Sequence, residues 1–532
     1  MNLSAARLST SVISQFAAIP RRFLPGAAAP LWLRPSRPRK ARRNAGGTGA
    51  VCGAGPASRA RPAAVRGPLV CCLLAISAGR LLAAAGNSSP PEPAFVDPQT
   101  LGLNIPAATV SSGDGRRVVT NDDGDGPVVA RVHINVGAYR IVLLPDGQLV
   151  ARPIAQTPET DRPFEPATRE AIARRLLVGR LTGFQTKETV RYLYVYNTSQ
   201  TFADVTSRIL ETMFKGVVAH VQAQKIEVRA PETPLVVIMF RTEAEYQQHR
   251  RVPEGTGAYY DVLTNRIVMY EESPLWRIKP ELAVQQALCT IAHEGAHQIL
   301  HNIGVQQRLS VWPMWLSEGL AEFFAPTTMD RHMKWKGAGQ VNDLRMFELE
   351  QYLKSRSADE TSGQLVAQTV GAERLTSTGY AAAWGLTNYL AKAQRPAFHA
   401  LVREASRLRP LEGPRRVVPP GVVPDNVRVF KQHFGDDLAE IERRLILHLK
   451  NLPYTDPFAE WPHYVALVEA AAPGRPRRQA NVFHTPEQAE KWRQEMLSQV
   501  PEPQRATAQT VVREFPNRLL AEQFARQWLR GR

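Results

Sequence analysis

Two apolar helical segments near the middle of the chain carry titratable side chains that face the interior. The first contains IAHEGAHQIL, with His293 and His297 four residues apart. The second, WPMWLSEGLAEFF, places Glu318 and Glu322 four residues apart in an otherwise apolar helix. Residues four apart share one helix face. Because burying unpaired carboxylates is costly, the fold must give these glutamates a cationic partner.

The first segment predicts a long helix, since Pro280 fits a helix start and Gly304 fits its end. His293 and His297 then lie about 6 Å apart along the axis, which suits two imidazoles on adjacent corners of a tetrahedral zinc ion. Glu294 is turned about 100° from His293, so it can reach a metal-bound water without being a ligand. The pattern H-E-x-x-H also occurs by chance, so a third ligand is required.

Two residues compete for the place of third ligand. His301 would lie about 12 Å along the helix axis from His293, too far to share one ion, and we interpret it as a surface or last-turn histidine. Glu318 is the better candidate, because a zinc ion would neutralise its buried charge. Glu322, one turn on, would accept the free ring N–H of a ligating histidine. The alternative is two solvated helix carboxylates beside a chance H-E-x-x-H.

These motifs resemble a known group of enzymes. HEGAH followed by WLSEGLAEFF is similar to the gluzincin metallopeptidases, the thermolysin-like or peptidase MA superfamily. Together with GYAAAWGLTNYL, it most resembles the bacterial family catalogued as domain of unknown function 1570. The likeness covers residues 190–450 and is strong over 290–325. It implies an α+β catalytic domain with a mixed sheet, in which RIVMY (266–270) is the edge strand along which an extended peptide lies.

The resemblance also implies roles for individual residues. His293, His297 and Glu318 would hold a zinc ion. Glu294 would act as general base, and Glu322 would lie behind the ligands. Peptide hydrolysis would then use a zinc-bound water whose proton Glu294 takes and later delivers to the leaving amine. Tyr380, in GYAAAWG, is the candidate donor to the oxygen that gains charge; Tyr389, or a buried structural role for Tyr380, is the alternative.

The charge of the chain is concentrated at one end. The 532 residues carry a net charge of +17, but residues 1–85 hold thirteen Lys and Arg and no Asp or Glu. The rest of the chain is therefore close to neutral, at +4. Such a balance gives no counterion-release argument for nucleic acid as a partner.

The N-terminal segment predicts export. Residues 68–79 form an apolar run behind arginines and before Ala83-Ala84-Ala85, as in a secretory signal over about 66–85. The run is too short for a stable transmembrane span. We therefore expect the protein in the periplasm, the cell envelope or the extracellular space, with an organelle transit peptide as the alternative. Removal of the signal leaves Cys289 alone, without an internal disulfide.

The remaining chain divides by composition and periodicity. Strands are expected at 190–197, 234–240 and 266–270, and helices at 201–222 and 437–450. Two similar amphipathic helices are expected at 490–497 and 522–529. The predicted regions are a basic segment (1–85), a flexible linker (86–127), a small β unit (128–188), a gluzincin-like domain (189–450) and a mainly helical C-terminal region (451–532). The small β unit has a hairpin turn at Pro145-Asp146-Gly147.

Three classes of function are consistent with these features. The first is an exported zinc metallopeptidase that acts on a peptide or protein substrate. The second is a catalytically inactive protein of the same fold with a binding or structural role in the cell envelope. The third is a zinc hydrolase of a non-peptide amide or ester.

Overall fold

The computed structural model describes residues 93–531, apart from 123–125, 254, 278, 357–359, 416–422 and 473–474. The predicted basic segment and export signal (1–85) lie outside the described residues. Within the described part of the chain, no helix is both long enough and apolar enough to cross a membrane.

The described residues combine helices and strands in several sheets, which confirms the α+β class. The strands are β1 (Ala94–Phe95), β2 (Val110–Ser112), β3 (Arg117–Asp122), β4 (Gly126–Val136), β5 (Tyr139–Leu143), β6 (Leu149–Pro153), β7 (Gln185–Glu188), β8 (Tyr192–Tyr196), β9 (Leu235–Thr242), β10 (Ala258–Asp261), β11 (Arg266–Glu272), β12 (Glu412–Gly413), β13 (His463–Ala470), β14 (Arg477–Phe483) and β15 (Gln509–Phe515).

The helices follow the same chain order. They are α1 (Arg169–Leu176), α2 (Gln200–Ala223), α3 (Glu243–His249), α4 (Pro280–Asn302), α5 (Met314–Phe324), α6 (Asp343–Ser355), α7 (Gln364–Gly371), α8 (Ser377–Ala393), α9 (Arg395–Ala405), α10 (Asp425–Phe434), α11 (Leu438–Lys450), α12 (Pro486–Ser498), α13 (Glu502–Arg505) and α14 (Arg518–Leu529).

The central sheet has five strands in the order β10-β11-β9-β8-β7. Strands β8, β9 and β11 run parallel, and β7 and β10 pair antiparallel at the two edges. Helices α2 and α4 cover one face of the sheet, and α1 and α3 cover the other. Burial of both faces explains why the predicted strand PLVVIMF is apolar throughout.

The prediction that RIVMY is the edge strand of the sheet is wrong. RIVMY is β11, and it lies between β9 and β10. The edge strand on this side of the sheet is β10, which leads into β11 through a tight turn. In that turn the Asp261 carboxylate accepts the N–H groups of Leu263 and Thr264, at 2.9 Å each, and Asn265 has a φ of +59°. Asparagine and aspartate are the residues that favour such a turn.

The segment expected as a flexible linker forms strands in its described part. β1 pairs with β12, and β2 and β3 both pair with β4. Asp114 and Gly115 lie in the turn between β2 and β3, while Val118 is fully buried in the β unit. The predicted hairpin turn is confirmed, since β5 and β6 pair across it and Gly147 has a φ of +91°.

The C-terminal region is α+β, which corrects the expectation of a mainly helical region. β13 is the centre of a three-stranded antiparallel sheet in the order β14-β13-β15. The two similar helices, in α12 and α14, each follow one of the outer strands, so the repeated unit is a strand and a helix. Alternating residues of β13 pack on different helices, with Val465 against α14 and Ala466 against α12.

The two motif helices have the predicted bounds. α4 begins at Pro280 and is followed by Gly304 at a φ of +83°, and α5 begins directly after Pro313. A glycine in each of these helices allows close packing on a neighbouring helix. A Cβ at Gly319 would lie 2.7 Å from the carbonyl oxygen of Ala383 in α8, and a Cβ at Gly295 would overlap Leu210 in α2.

We predict that Gly319→Ala lowers the free energy of unfolding by about 1–3 kcal/mol, because the added methyl meets backbone that cannot rotate away. Urea denaturation measures the change. The matched control is Gly371→Ala, where the nearest atom to a Cβ is 3.5 Å away and no strained φ is present. Equal stability of the two variants would contradict the close approach of α5 and α8.

Candidate metal centre

Three buried side chains from α4 and α5 converge on one point. His293 Nε2 and His297 Nε2 are 3.3 Å apart, and Glu318 Oε2 lies 3.2 Å from the first and 3.4 Å from the second. The exposed fractions of the three residues are 6%, 8% and 1%, respectively. The i, i+4 spacing on α4 places the two rings side by side, and packing of α5 on α4 adds the carboxylate.

This triangle fits a metal ion. Ligand atoms at about 2.0–2.1 Å from a tetrahedral zinc ion stand about 3.3–3.4 Å from one another. Glu318 Oε2 is buried and has no hydrogen-bond donor among the described residues. A buried carboxylate oxygen without a donor is costly, and a cation at this point removes the cost. His293, His297 and Glu318 are therefore a group that could hold a metal ion.

The charges of the group depend on one another. Burial alone would raise the pKa of Glu318, but the neighbouring His297 and His293 outweigh it and hold this pKa well below its usual range. Burial alone would lower the pKa of His293, yet Glu322 and Glu318 raise it well above its usual value. The carboxylates thus attract positive charge to this point, which is the role that a metal ion would take over.

Glu322 lies directly behind His293, where the sequence places it. Its Oε1 is 3.1 Å from His293 Nδ1, although the two groups are not aligned as a hydrogen bond. Arg345 donates to the same oxygen at 2.6 Å, and Asn342 donates to Oε2 at 2.9 Å. Burial opposes ionisation of Glu322, but Arg345 and His293 outweigh it and lower its pKa to about 2. The carboxylate therefore stays charged behind the ligand.

Sequence reasoning missed Asn342 and Arg345. Asn342 is the N-cap of α6, whose side chain accepts the N–H of Arg345, and Arg345 lies in the first turn of that helix. An arginine inside a buried helix start was the available signal, because buried charges need partners. Its partner, Glu322, lies on a different helix, so the pair is not visible from local spacing.

Glu294 stays outside the group of ligands. Its Oε2 accepts the backbone N–H of Tyr260 in β10 at 2.8 Å, and no hydrogen bond to Oε1 is seen from any described residue. Burial raises the pKa of Glu294 despite the two neighbouring histidines. A carboxylate with one fixed oxygen and a raised pKa is suited to taking and returning a proton. The contribution of Tyr260 was not predicted, because β10 was not.

Tyr380 lies beside the centre on α8. Its ring centroid is 6.3 Å from that of His293 and 5.3 Å from the guanidinium carbon of Arg345. Its role as a donor to the reacting oxygen stays a prediction. The alternative residue, Tyr389, lies against the ring of His448 and accepts a hydrogen bond from Gln394 at 3.2 Å.

His301 is in the last turn of α4, as expected, but it is buried and not a surface residue. Its ring stacks on Tyr260 with centroids 5.5 Å apart, and burial lowers its pKa to about 3. The strand β10, which the sequence did not reveal, covers this side of the helix. His301 is not among the residues that could hold the ion.

A cavity of about 540 Å³ opens on the centre. His293, Glu294, His297 and Glu318 line it, together with Thr100–Gly102, β10 and the start of α5. Its volume is within the range of ligand-binding sites. The contribution of residues 100–102 to the cavity wall was not predicted, because that segment was expected to be a flexible linker.

We predict that Glu318→Ala loses one metal ion per chain relative to the unaltered protein, because two imidazoles alone hold an ion weakly. Elemental analysis after dialysis against Zn²⁺ measures it. Glu373→Ala, an exposed glutamate that lines the same cavity, is the control and should keep its metal. Unchanged metal content in Glu318→Ala would remove Glu318 from the centre.

We also predict that Arg345→Met lowers the affinity of this centre for Zn²⁺ by about 10- to 100-fold, the usual cost of losing an outer partner of a ligand. The physical reason is that Glu322 then faces His293 without its compensating cation. Competition with a chromophoric chelator measures the affinity, and Arg331→Met on the exposed surface is the control. The same affinity in both variants would contradict this role.

The part of the chain that contains this centre is similar to a described family of sequences. No curated protein matches the chain. Residues 287–412, which contain His293, Glu294, His297, Glu318, Glu322, Arg345 and Tyr380, match the model of the family described as Protein of unknown function (DUF1570).

Proposed function

We propose that the protein is an exported zinc-dependent metallopeptidase that hydrolyses peptide bonds. The observation that carries the proposal is the division of labour on α4 and α5. His293, His297 and Glu318 form a tight group of ligand atoms, while Glu294 stands outside it with one oxygen held by Tyr260. Two imidazoles and one carboxylate favour zinc over calcium or magnesium, which take oxygen ligands.

When bound, zinc lowers the pKa of a coordinated water and polarises a carbonyl group. The chain supplies the proton transfers. The Tyr260 N–H fixes Glu294 Oε2, so Oε1 is left to take the proton of the attacking water. The raised pKa of Glu294 favours its taking that proton, which it then delivers to the leaving amine. Glu322, held by Arg345 and Asn342, orients the His293 ring.

The orientation of β10 supports a peptide as the substrate. Tyr260 directs its N–H away from β11 and towards α4, since its hydrogen bond is to Glu294. The unpaired side of this edge strand therefore faces the cavity, and Tyr259, Tyr260 and Asp261 line it. An extended peptide can add to such an edge by main-chain hydrogen bonds. We propose β10, in place of β11, as the strand that receives it.

Export is the remaining part of the proposal. It rests on the apolar run at 68–79 and the alanines that follow it. N-terminal sequencing of the purified protein tests it, with a first residue near 84–88 as the expected result and an intact Met1 as the contrary one.

We predict that Glu294→Gln keeps its zinc and loses about 10²- to 10⁴-fold in peptide hydrolysis, the usual contribution of a general base. Mass spectrometry of a peptide mixture, incubated with each protein, measures cleavage. Glu373→Gln is the control in the same cavity.

Each alternative gives a distinct result. Undiminished cleavage by Glu294→Gln would remove this residue from the mechanism. Turnover of esters without cleavage of any peptide would indicate a non-peptide hydrolase, and zinc binding without any turnover would indicate a binding protein.

A further inference from the structure

We propose that Asp456, His463 and His484 form a second metal site, separate from the centre on α4 and α5, for a zinc-type transition-metal ion. One ligand atom of each lies within 4.8 Å of the other two. The site lies in the C-terminal region, which the proposed peptidase chemistry does not use.

The β13–β14 hairpin brings the two histidines together. His463 is the first residue of β13, and His484 follows the last residue of β14. Tyr464 and Phe483 are paired in the ladder, so the histidines fall at the next cross-strand position, with ring centroids 4.2 Å apart. Asp456 comes from the connection between α11 and β13. Three separate points of the chain thus converge.

Both histidines have a buried ring nitrogen without a hydrogen-bond partner among the described residues. His463 is 1% exposed, and its Nδ1 lies 2.7 Å from the carbonyl oxygen of Trp461. Because a carbonyl only accepts, Nδ1 carries the proton and Nε2 has the free lone pair. His463 Nε2 and His484 Nε2 are both buried and lack a hydrogen-bond partner among the described residues. A histidine fixed through one nitrogen, with the other free, is the arrangement of a metal ligand.

The Asp456 carboxylate is held in the way that ligating carboxylates usually are. Its Oδ1 accepts the backbone N–H of Phe458 at 2.8 Å, and its Oδ2 accepts from Arg518 at 2.7 Å. Each oxygen keeps a further lone pair. Asp456 Oδ2 is 3.7 Å from His484 Nε2, beyond hydrogen-bond distance. The spacing leaves room for an ion between them.

The charged groups around Asp456 are paired with one another. Arg518 pairs with Glu350 and Glu522, at 2.7 Å each, besides Asp456. Lys354 pairs with Glu350 at 3.1 Å. Glu522 also pairs with Arg526 at 3.2 Å, so three cations face three carboxylates and the charges of this group balance.

The position of the site indicates what the ion does. The His484 ring packs on Phe347 of α6 with centroids 4.6 Å apart, and Arg518 of α14 binds Glu350 of the same helix. Helix α6 also carries Arg345, which holds Glu322 behind His293. An ion at Asp456, His463 and His484 would fasten the C-terminal sheet where it contacts α6.

The test is the number of zinc ions on the full chain, measured by native mass spectrometry after dialysis against Zn²⁺. We expect about two zinc ions on the unaltered chain and about one on His484→Gln, because loss of this ligand abolishes the second site and leaves the first intact. His332→Gln, an exposed histidine, is the control and should keep both ions.

A second variant makes the test independent of whether His484→Gln folds. The double variant His297→Ala/Glu318→Ala leaves the second site untouched and should retain about one ion, with two imidazoles in its X-ray absorption spectrum. No zinc on this double variant would overturn the proposal. The proposal would also be overturned if the unaltered chain and His484→Gln each bound a single ion. Either result would show that His484 and Asp456 form only a loose ion pair.

Discussion

A carboxylate enclosed between two imidazoles is the interaction on which the rest of the site depends. Glu318 is 1% exposed, and its Oε2 has only the two histidine nitrogens within reach among the described residues. Such a charge is tolerated only beside a cation. Helices α4 and α5 must therefore meet closely. The absence of a side chain at Gly295 lets α4 pack on α2, and its absence at Gly319 lets α5 pack on α8.

The same requirement extends outward through alternating charges. Glu322 faces His293 on one side and Arg345 on the other, and Arg345 also donates to Glu348 at 2.8 Å. Glu348 in turn accepts from Ser377 at the start of α8, at 2.9 Å. Buried charges of this kind contribute position more dependably than stability, since their desolvation offsets much of their attraction. The series holds the Glu322 carboxylate beside the His293 ring with groups from three helices.

The motif helices, their pairs of titratable residues and three strands of the central sheet followed from local sequence, and the contacts between distant segments did not. His293 with His297, and Glu318 with Glu322, are i, i+4 pairs, and Pro280, Gly304 and Pro313 mark helix ends by rules that act within a few residues. The contacts that escaped prediction join distant segments: Tyr260 to Glu294, Arg345 to Glu322, and β1 to β12. The C-terminal sheet escaped because its helices carry the stronger periodicity, while the alternation in β13 is shallow, both of its faces being covered. The order of strands in a sheet likewise depends on which strands pair, and local sequence does not show this. The predicted edge strand was therefore β11, whereas β10 occupies that edge.

We propose that three side chains of this chain hold one ion. Anomalous diffraction at the zinc absorption edge, from crystals of the full chain grown with Zn²⁺, tests this proposal. We expect a peak at about 2.0–2.1 Å from His293 Nε2, His297 Nε2 and Glu318 Oε2 together, with Glu294 outside bonding distance. A peak ligated by Glu294 in place of Glu318, or no peak at these three atoms, would contradict it.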